Sequence, residues 1–346
     1  MAAATIDEAL EILEDTGPEF AGGLANHGPM AAEALLALGR PDAVVPWVER
    51  YKQRLREHPD ARDAIARDEW RAALGDGRRL GDWTVFFRRE LADAPWPKVI
   101  DRWVPRLAPG LIAAATHGVI RTGHAVRSLS AGETPVRLRE LAEGLAYWAA
   151  RYHALPEALS NGGARLLPTQ AIRRIEPLPP EAQQRAGFIT QGLARLEGHR
   201  PFAATIDLVD AAADASLVLS DLTETFAQVY LANHQDSLRT ITFIHAVTGP
   251  SAVRLLAPYL SGDGTALALR YAWQAGAALY SAFGSTPDAP AIAAPVLTRA
   301  DLIDRAVASG DEHAIKFTEA CLREHALNPK PIYLAAAADA VERLGG

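Results

Sequence analysis

Along most of the chain, apolar residues recur three and four positions apart, and polar residues fill the gaps. That is the repeat of an amphipathic helix, and strict alternation, the mark of a half-buried strand, is scarce. Ile6, Ala9, Leu10 and Leu13 fall on one helical face, with Thr5 and Glu8 spaced as a capping box. Further helices are expected over Met30–Leu38, Trp47–Leu55, Asp82–Leu91, Pro97–Leu107, Leu111–Leu129 and Arg137–Tyr152. After a break they resume over Glu181–Leu196, Phe202–Leu219, Leu222–Asn233, Ser237–Val247, Ser251–Leu260 and Ala266–Ala282. Three more are expected to close the chain: Arg299–Ala308, capped by Thr298 and stopped by Gly310, then Asp311–Leu327 and Pro331–Leu344.

Two proline-rich stretches, residues 155–180 and 287–295, interrupt this pattern. The β-branched segment Thr240–Val247 also has strand character. No fixed-period repeat marks a solenoid. The expected fold is all-α, an irregular multi-helix single domain over residues 1–346, with two lobes as the alternative.

Composition narrows the function. The 346 residues are 49% hydrophobic, enough for a sizeable core, and 22% charged with a formal net charge of −7. The charges are interspersed, with no basic stripe to neutralise phosphates, so a nucleic-acid partner is not expected. Cys321 is the only thiol, which excludes a disulfide framework and a thiolate zinc site. Residues 1–10 lack a basic segment before an apolar one, and the apolar run Leu111–Ile120 is broken by His117. A cytoplasmic protein with no membrane partner is expected; the sequence does not indicate an oligomeric state.

Ten histidines remain as the chemical signal. His58, His153, His199, His234 and His325 lie among polar or helix-end residues, where solvated or capping roles are ordinary. The other five stand in apolar or glycine-flanked settings. His27 precedes Gly28-Pro29 at a helix start, where capping by itself is the more ordinary role. His117 and His124 are seven residues apart, on nearly one helical line but about 10 Å apart along the axis. His245 interrupts the apolar run Phe243–Val247, and His313 shares an arc with Phe317, Ala320 and Leu327. Lys316 is three residues beyond His313, at a position where a lysine is ordinarily a surface residue. Five imidazoles without thiolates suit iron, zinc or copper. HExxH, CxxC, Walker and GxGxxG motifs are absent. The triplets His58-Pro59-Asp60 and His234-Gln235-Asp236 match the spacing of a facial triad but lack its strand-rich setting.

Four blocks in combination, Asn26-His27-Gly28-Pro29-Met30-Ala31, His117 through Arg127, Phe243 through Ala252 and His313 through Ala320, together with Tyr147-Trp148, resemble the questin oxidase-like family. The resemblance spans about residues 20–325. It implies a mostly helical enzyme that oxidises anthraquinones and related aromatic polyketides with dioxygen, by ring cleavage or Baeyer-Villiger-type insertion. It also implies a buried, histidine-rich non-haem Fe(2+) site completed by a carboxylated lysine. Carried over by motif, the ligands come from His27, His117, His124, His245 and His313, with Lys316 carboxylated. NADPH or another external reductant is compatible with that chemistry. Arg121 and His124 are the candidate catalytic residues, Arg121 for an anionic phenolate or enolate and His124 for proton transfer. The competing readings are a metal-independent oxygenase that borrows a flavin or nicotinamide cofactor, against which the absence of a glycine-rich βαβ fingerprint counts, a metal-dependent hydrolase on the same ligands, and a non-catalytic helical scaffold.

Overall fold

The computed structural model describes residues 2–158, 164–289 and 297–345. Among these it contains 17 α-helices, short 3-10 turns and one two-stranded hairpin, which agrees with the all-α expectation. No helix among the described residues is long and apolar enough to cross a membrane. The chain divides into two compact units, Met1–His153 with Leu255–Leu260, and Ala154–Arg254 with Ser261–Gly346.

The first unit holds α1 (Ala2–Ile12), α2 (Gly28–Ala37), α3 (Pro41–Lys52), α4 (Trp70–Ala73), α5 (Leu80–Asp93), α6 (Trp96–Leu107), α7 (His117–Ala131) and α8 (Pro135–Ala150). Its hairpin pairs Glu19–Phe20 with Leu24–Ala25 and delivers the chain to α2. Helix α8 packs against both α5 and α7, and α2 packs on α7. The approach of α7 to α8 depends on missing side chains: a Cβ at Gly118 would lie 2.7 Å from the Trp148 Cα, and one at Gly144 would lie 3.1 Å from the Thr122 backbone nitrogen. An aromatic cluster of Trp70, Trp83, Phe86, Phe87 and Trp103 fills the core beside them. Each buried indole removes roughly 200 Å² from water, about 5 kcal/mol of gross stabilisation. Trp103 and Trp148 are fully buried with their N–H groups bonded to Glu90 and to the Gly110 carbonyl, so both serve as core residues.

The second unit holds α9 (Pro168–Ala171), α10 (Ile189–Leu193), α11 (Arg200–Ala203), α12 (Ala215–Ala232), α13 (Ser237–Leu256), α14 (Gly262–Phe283), α15 (Arg299–Ser309), α16 (Glu312–Leu327) and α17 (Pro331–Leu344). Helices α15, α16 and α17 pack on one another, and α12 packs on α14 and α17. Buried Glu324 of α16 accepts hydrogen bonds from Ser251 and Arg254 of α13, which joins those two helices through a satisfied carboxylate.

Several elements differ from the sequence pattern. Helix α1 begins at Ala2, so Thr5 lies inside it and is no N-cap. Ser237–Val247 and the Ser251–Leu256 part of the next expected helix form the single helix α13, which runs through Pro250 and is followed by a 3-10 turn at Ala257–Tyr259, and Thr240–Val247 is helical. Proline costs one backbone bond there, but the apolar face on both sides of it is buried, and packing outweighs the local penalty. Leu111–Leu129 is not one helix: α7 starts only at His117. Glu181–Leu196 and Phe202–Leu219 break into short helices and turns before α12. Of the two proline-rich stretches, residues 159–163 and 290–295 lie outside the described residues.

Candidate metal-binding histidines

Before α7 the chain makes a left-handed turn without glycine: Ala114, Ala115 and Thr116 have φ of 48°, 55° and 72°. Each such residue costs about 1–2 kcal/mol, and a β-branched threonine is the least suited of the three. The turn brings the Ala114 carbonyl within 2.5 Å of the His117 Nδ1. A carbonyl only accepts, so Nδ1 carries the proton and Nε2 presents its lone pair. That Nε2 lies 2.8 Å from the Nε2 of His27, with the rings edge to face at 83°.

His27 is the N-cap residue of α2, but its side chain makes no capping bond, and Pro29 lies in the first turn. Its backbone N–H donates to the Tyr51 hydroxyl, while Asn26 ties its own side chain to the Gly17 carbonyl and the Gly28 N–H. Gly28 is small because a Cβ would meet Leu13 at 2.9 Å and Asn26 at 3.0 Å, and the imidazole is not what requires it. Both histidines of this pair are buried.

In the second unit His245 sits in the middle of α13 and gives its Nδ1 proton to the Ile241 carbonyl one turn back, at 2.8 Å. Its Nε2 therefore also presents a lone pair. His313, in the first turn of α16, stands edge to face with it at 84°, and a ring nitrogen of each lies within 4.8 Å of the other. His245 is buried and His313 half-buried. Asp311 caps α16 by accepting from the His313 and Ala314 N–H groups, and it lies 3.7 Å from the His313 Nδ1. Burial works against the Asp311 charge, but these donors hold its carboxyl below the usual value.

One turn along α16, Lys316 is 1% exposed, against the surface position its spacing suggests. Burial pushes its amine from 10.5 down to about 7, with Glu312 and Asp311 opposing the shift. Near neutral pH about half of this amine is uncharged, the form that reacts with carbon dioxide or binds a cation.

The remaining sequence candidates are placed differently. His124, two turns along α7 from His117, meets Glu33 of α2 through Nδ1 at 2.6 Å, and Arg127 grips the same carboxylate. Burial raises the Glu33 carboxyl, yet Arg127 and His124 together hold it below its ordinary value. Arg121 is buried in a bidentate pair with Glu140, at 2.6 and 2.7 Å. Its Nη1 has no partner among the described residues. Sequence reasoning missed Glu33, although a lone acid inside the apolar run Met30–Leu36 was the signal available for it. Glu140 has no comparable signal in its surroundings. His58 bonds Glu143 and His234 bonds Asp339, so neither HxD triplet forms a pair with its own aspartate. In the second unit Trp273 is fully buried, with its indole N–H on the Thr205 carbonyl.

These are donor sets that fit a metal: imidazoles in two pairs, two of them held with the proton on Nδ1 by a backbone carbonyl, the kind of bond that orients metal-ligating histidines. A family model described as questin oxidase-like matches residues 24–321. The chain belongs to the questin oxidase-like family. Membership implies oxidoreductase activity, and the matched span holds both histidine pairs and Lys316. A comparison with curated proteins gives no match.

Proposed function

We propose that this questin oxidase-like protein is a non-haem iron oxygenase acting on an anthraquinone-type aromatic polyketide, with ring cleavage or oxygen insertion as the outcome. In this reading His27, His117, His245 and His313 hold one Fe(2+), and a carbamate on Lys316 supplies the anionic oxygen ligand. The observation that carries the reading is two imidazole pairs, each with one member whose Nδ1 proton is committed to a backbone carbonyl, within a chain of this family. Imidazole and carboxylate-type donors suit iron, and an oxidoreductase family makes iron the better choice over hydrolytic zinc.

When bound, ferrous iron supplies a Lewis acid and an electron partner for dioxygen. The chain supplies the rest. Backbone carbonyls at Ala114 and Ile241 fix the direction of two lone pairs. The dry surroundings of Lys316 keep its amine available for carboxylation. His124 shares its Nδ1 proton with Glu33 and is our candidate for proton transfer. Arg121 retains Nη1 for an anionic group of the substrate. An external reductant such as NADPH is required only if one oxygen atom leaves as water.

The test is oxygen uptake with a panel of reduced hydroxyanthraquinones. Iron-loaded protein should consume dioxygen with at least one of them, and the Lys316→Ala variant should not. If no compound stimulates uptake while zinc-loaded protein hydrolyses an ester or amide, the oxygenase reading is replaced by a hydrolytic one.

A further inference from the structure

Thr116 combines two features that a folded chain ordinarily avoids. Its φ of 72° is left-handed at a β-branched residue. Outside this turn, the left-handed positions among the described residues are six glycines, Ala21 and Arg165, none of them β-branched. Its hydroxyl is also buried without a hydrogen-bond partner among the described residues, in a residue only 1% exposed. Threonine before a helix normally spends that hydroxyl on capping, but Thr116 makes no capping bond to α7. Its backbone is fully used, with its N–H on the Ile112 carbonyl and its own carbonyl accepting from Ile120. Strain and an unspent polar group therefore coincide at the residue peptide-bonded to His117, at the end of a 15-residue helix whose dipole favours negative charge.

We propose that Thr116 is a ligand-contact residue: its hydroxyl donates a hydrogen bond to an anionic oxygen of the substrate, a phenolate or enolate, bound beside His117. This deepens the metal reading above and rests on it. The left-handed turn aims the Ala114 carbonyl at His117 and, by the same bend, removes the Thr116 hydroxyl from capping duty. Valine at this position would keep the branched shape and lose only the donor, and serine would keep the donor.

The experiment loads the full-length protein with cobalt(II) as a coloured probe of the metal site and titrates it with azide, a small anion that accepts a hydrogen bond. Thr116→Val should bind cobalt within about twofold of wild type and melt no lower, since a buried unpaired hydroxyl is gone, but should bind azide about tenfold more weakly. Thr116→Ser should restore azide binding to within about threefold. Equal azide affinity in wild type and Thr116→Val overturns this inference alone and leaves the metal reading standing. A parallel loss of cobalt and melting temperature in Thr116→Val that serine does not rescue shows a structural role and also overturns it. If wild type takes up no cobalt, the metal reading fails and the inference falls with it.

Discussion

His117 and His245 reach the same chemical state by opposite backbone routes. His245 lies in the middle of a regular helix, and the carbonyl one turn back accepts its Nδ1 proton without distortion. His117 lies at a helix start, and the carbonyl it uses is delivered by three left-handed non-glycine residues. Their surroundings differ in the same sense. The first unit concentrates its cost in backbone strain, and the second concentrates it in a buried lysine amine. Strain and a desolvated charge are both expected where function opposes stability, and each can be probed separately.

The largest effects should come from removing the donors themselves. His117→Ala and His245→Ala should each lower metal affinity by more than about 100-fold, beyond the roughly 10- to 100-fold typical of losing a hydrogen-bond partner of a metal ligand. Metal content after dialysis checks this. Full occupancy in His245→Ala would confine any site to the first unit.

Next in size is the lysine. In metal-free protein the Lys316 amine titrates near 7 when folded and near 10.5 when unfolded, so the unfolded chain binds more protons across that interval. Stability should therefore rise as pH increases from about 7 to about 10.5, and the penalty should be fully present below 7. Lys316→Met should remove this slope and stabilise the metal-free protein at pH 6 by up to about 5 kcal/mol. Denaturant melts at a series of pH values read the outcome, and an unchanged slope would place the amine in water.

Glu33→Gln should cost about 3 kcal/mol, because it leaves Arg127 and His124 facing a neutral amide. The Glu33 carboxyl is held below its ordinary value, so its contribution is complete above the unfolded pKa and is lost as pH falls through the folded one. The variant should flatten the acid limb of the stability profile. If His124→Gln keeps full metal content as well, His124 belongs to this ion-pair network and not to the ligand set.

The smallest effect tests the strain. Ala115→Gly should be neutral or stabilising by up to about 1 kcal/mol, since glycine adopts a φ of 55° without penalty. The same change at Ala125, inside α7, should destabilise by about 1 kcal/mol. Equal losses at both positions would show that the turn is not strained.

How much of this was legible in the sequence follows from the range of the interactions. Helical periodicity found most helices, and Thr298 with Gly310 marked the ends of α15 as expected, because capping is local chemistry. The turn at 114–116 was invisible, since Ala-Ala-Ala-Thr reads as good helix and nothing local calls for left-handed backbone. The passage of α13 through Pro250 was missed for the converse reason: tertiary burial overrode a local stop signal. Shared helical spacing suggested a common role for His117 and His124, but their partners are a backbone carbonyl and a carboxylate, which spacing does not encode. The burial of Lys316 likewise depends on how α16 packs, not on its position three residues from His313.

The most direct test of the central claim is a crystal structure of iron-loaded protein with anomalous data collected at the iron edge. The account predicts one anomalous peak coordinated by His27, His117, His245 and His313, with density extending from the Lys316 amine to the metal as a carbamate. A peak that involves neither histidine pair, or a fully loaded site with an unmodified Lys316 turned away from it, would contradict the account.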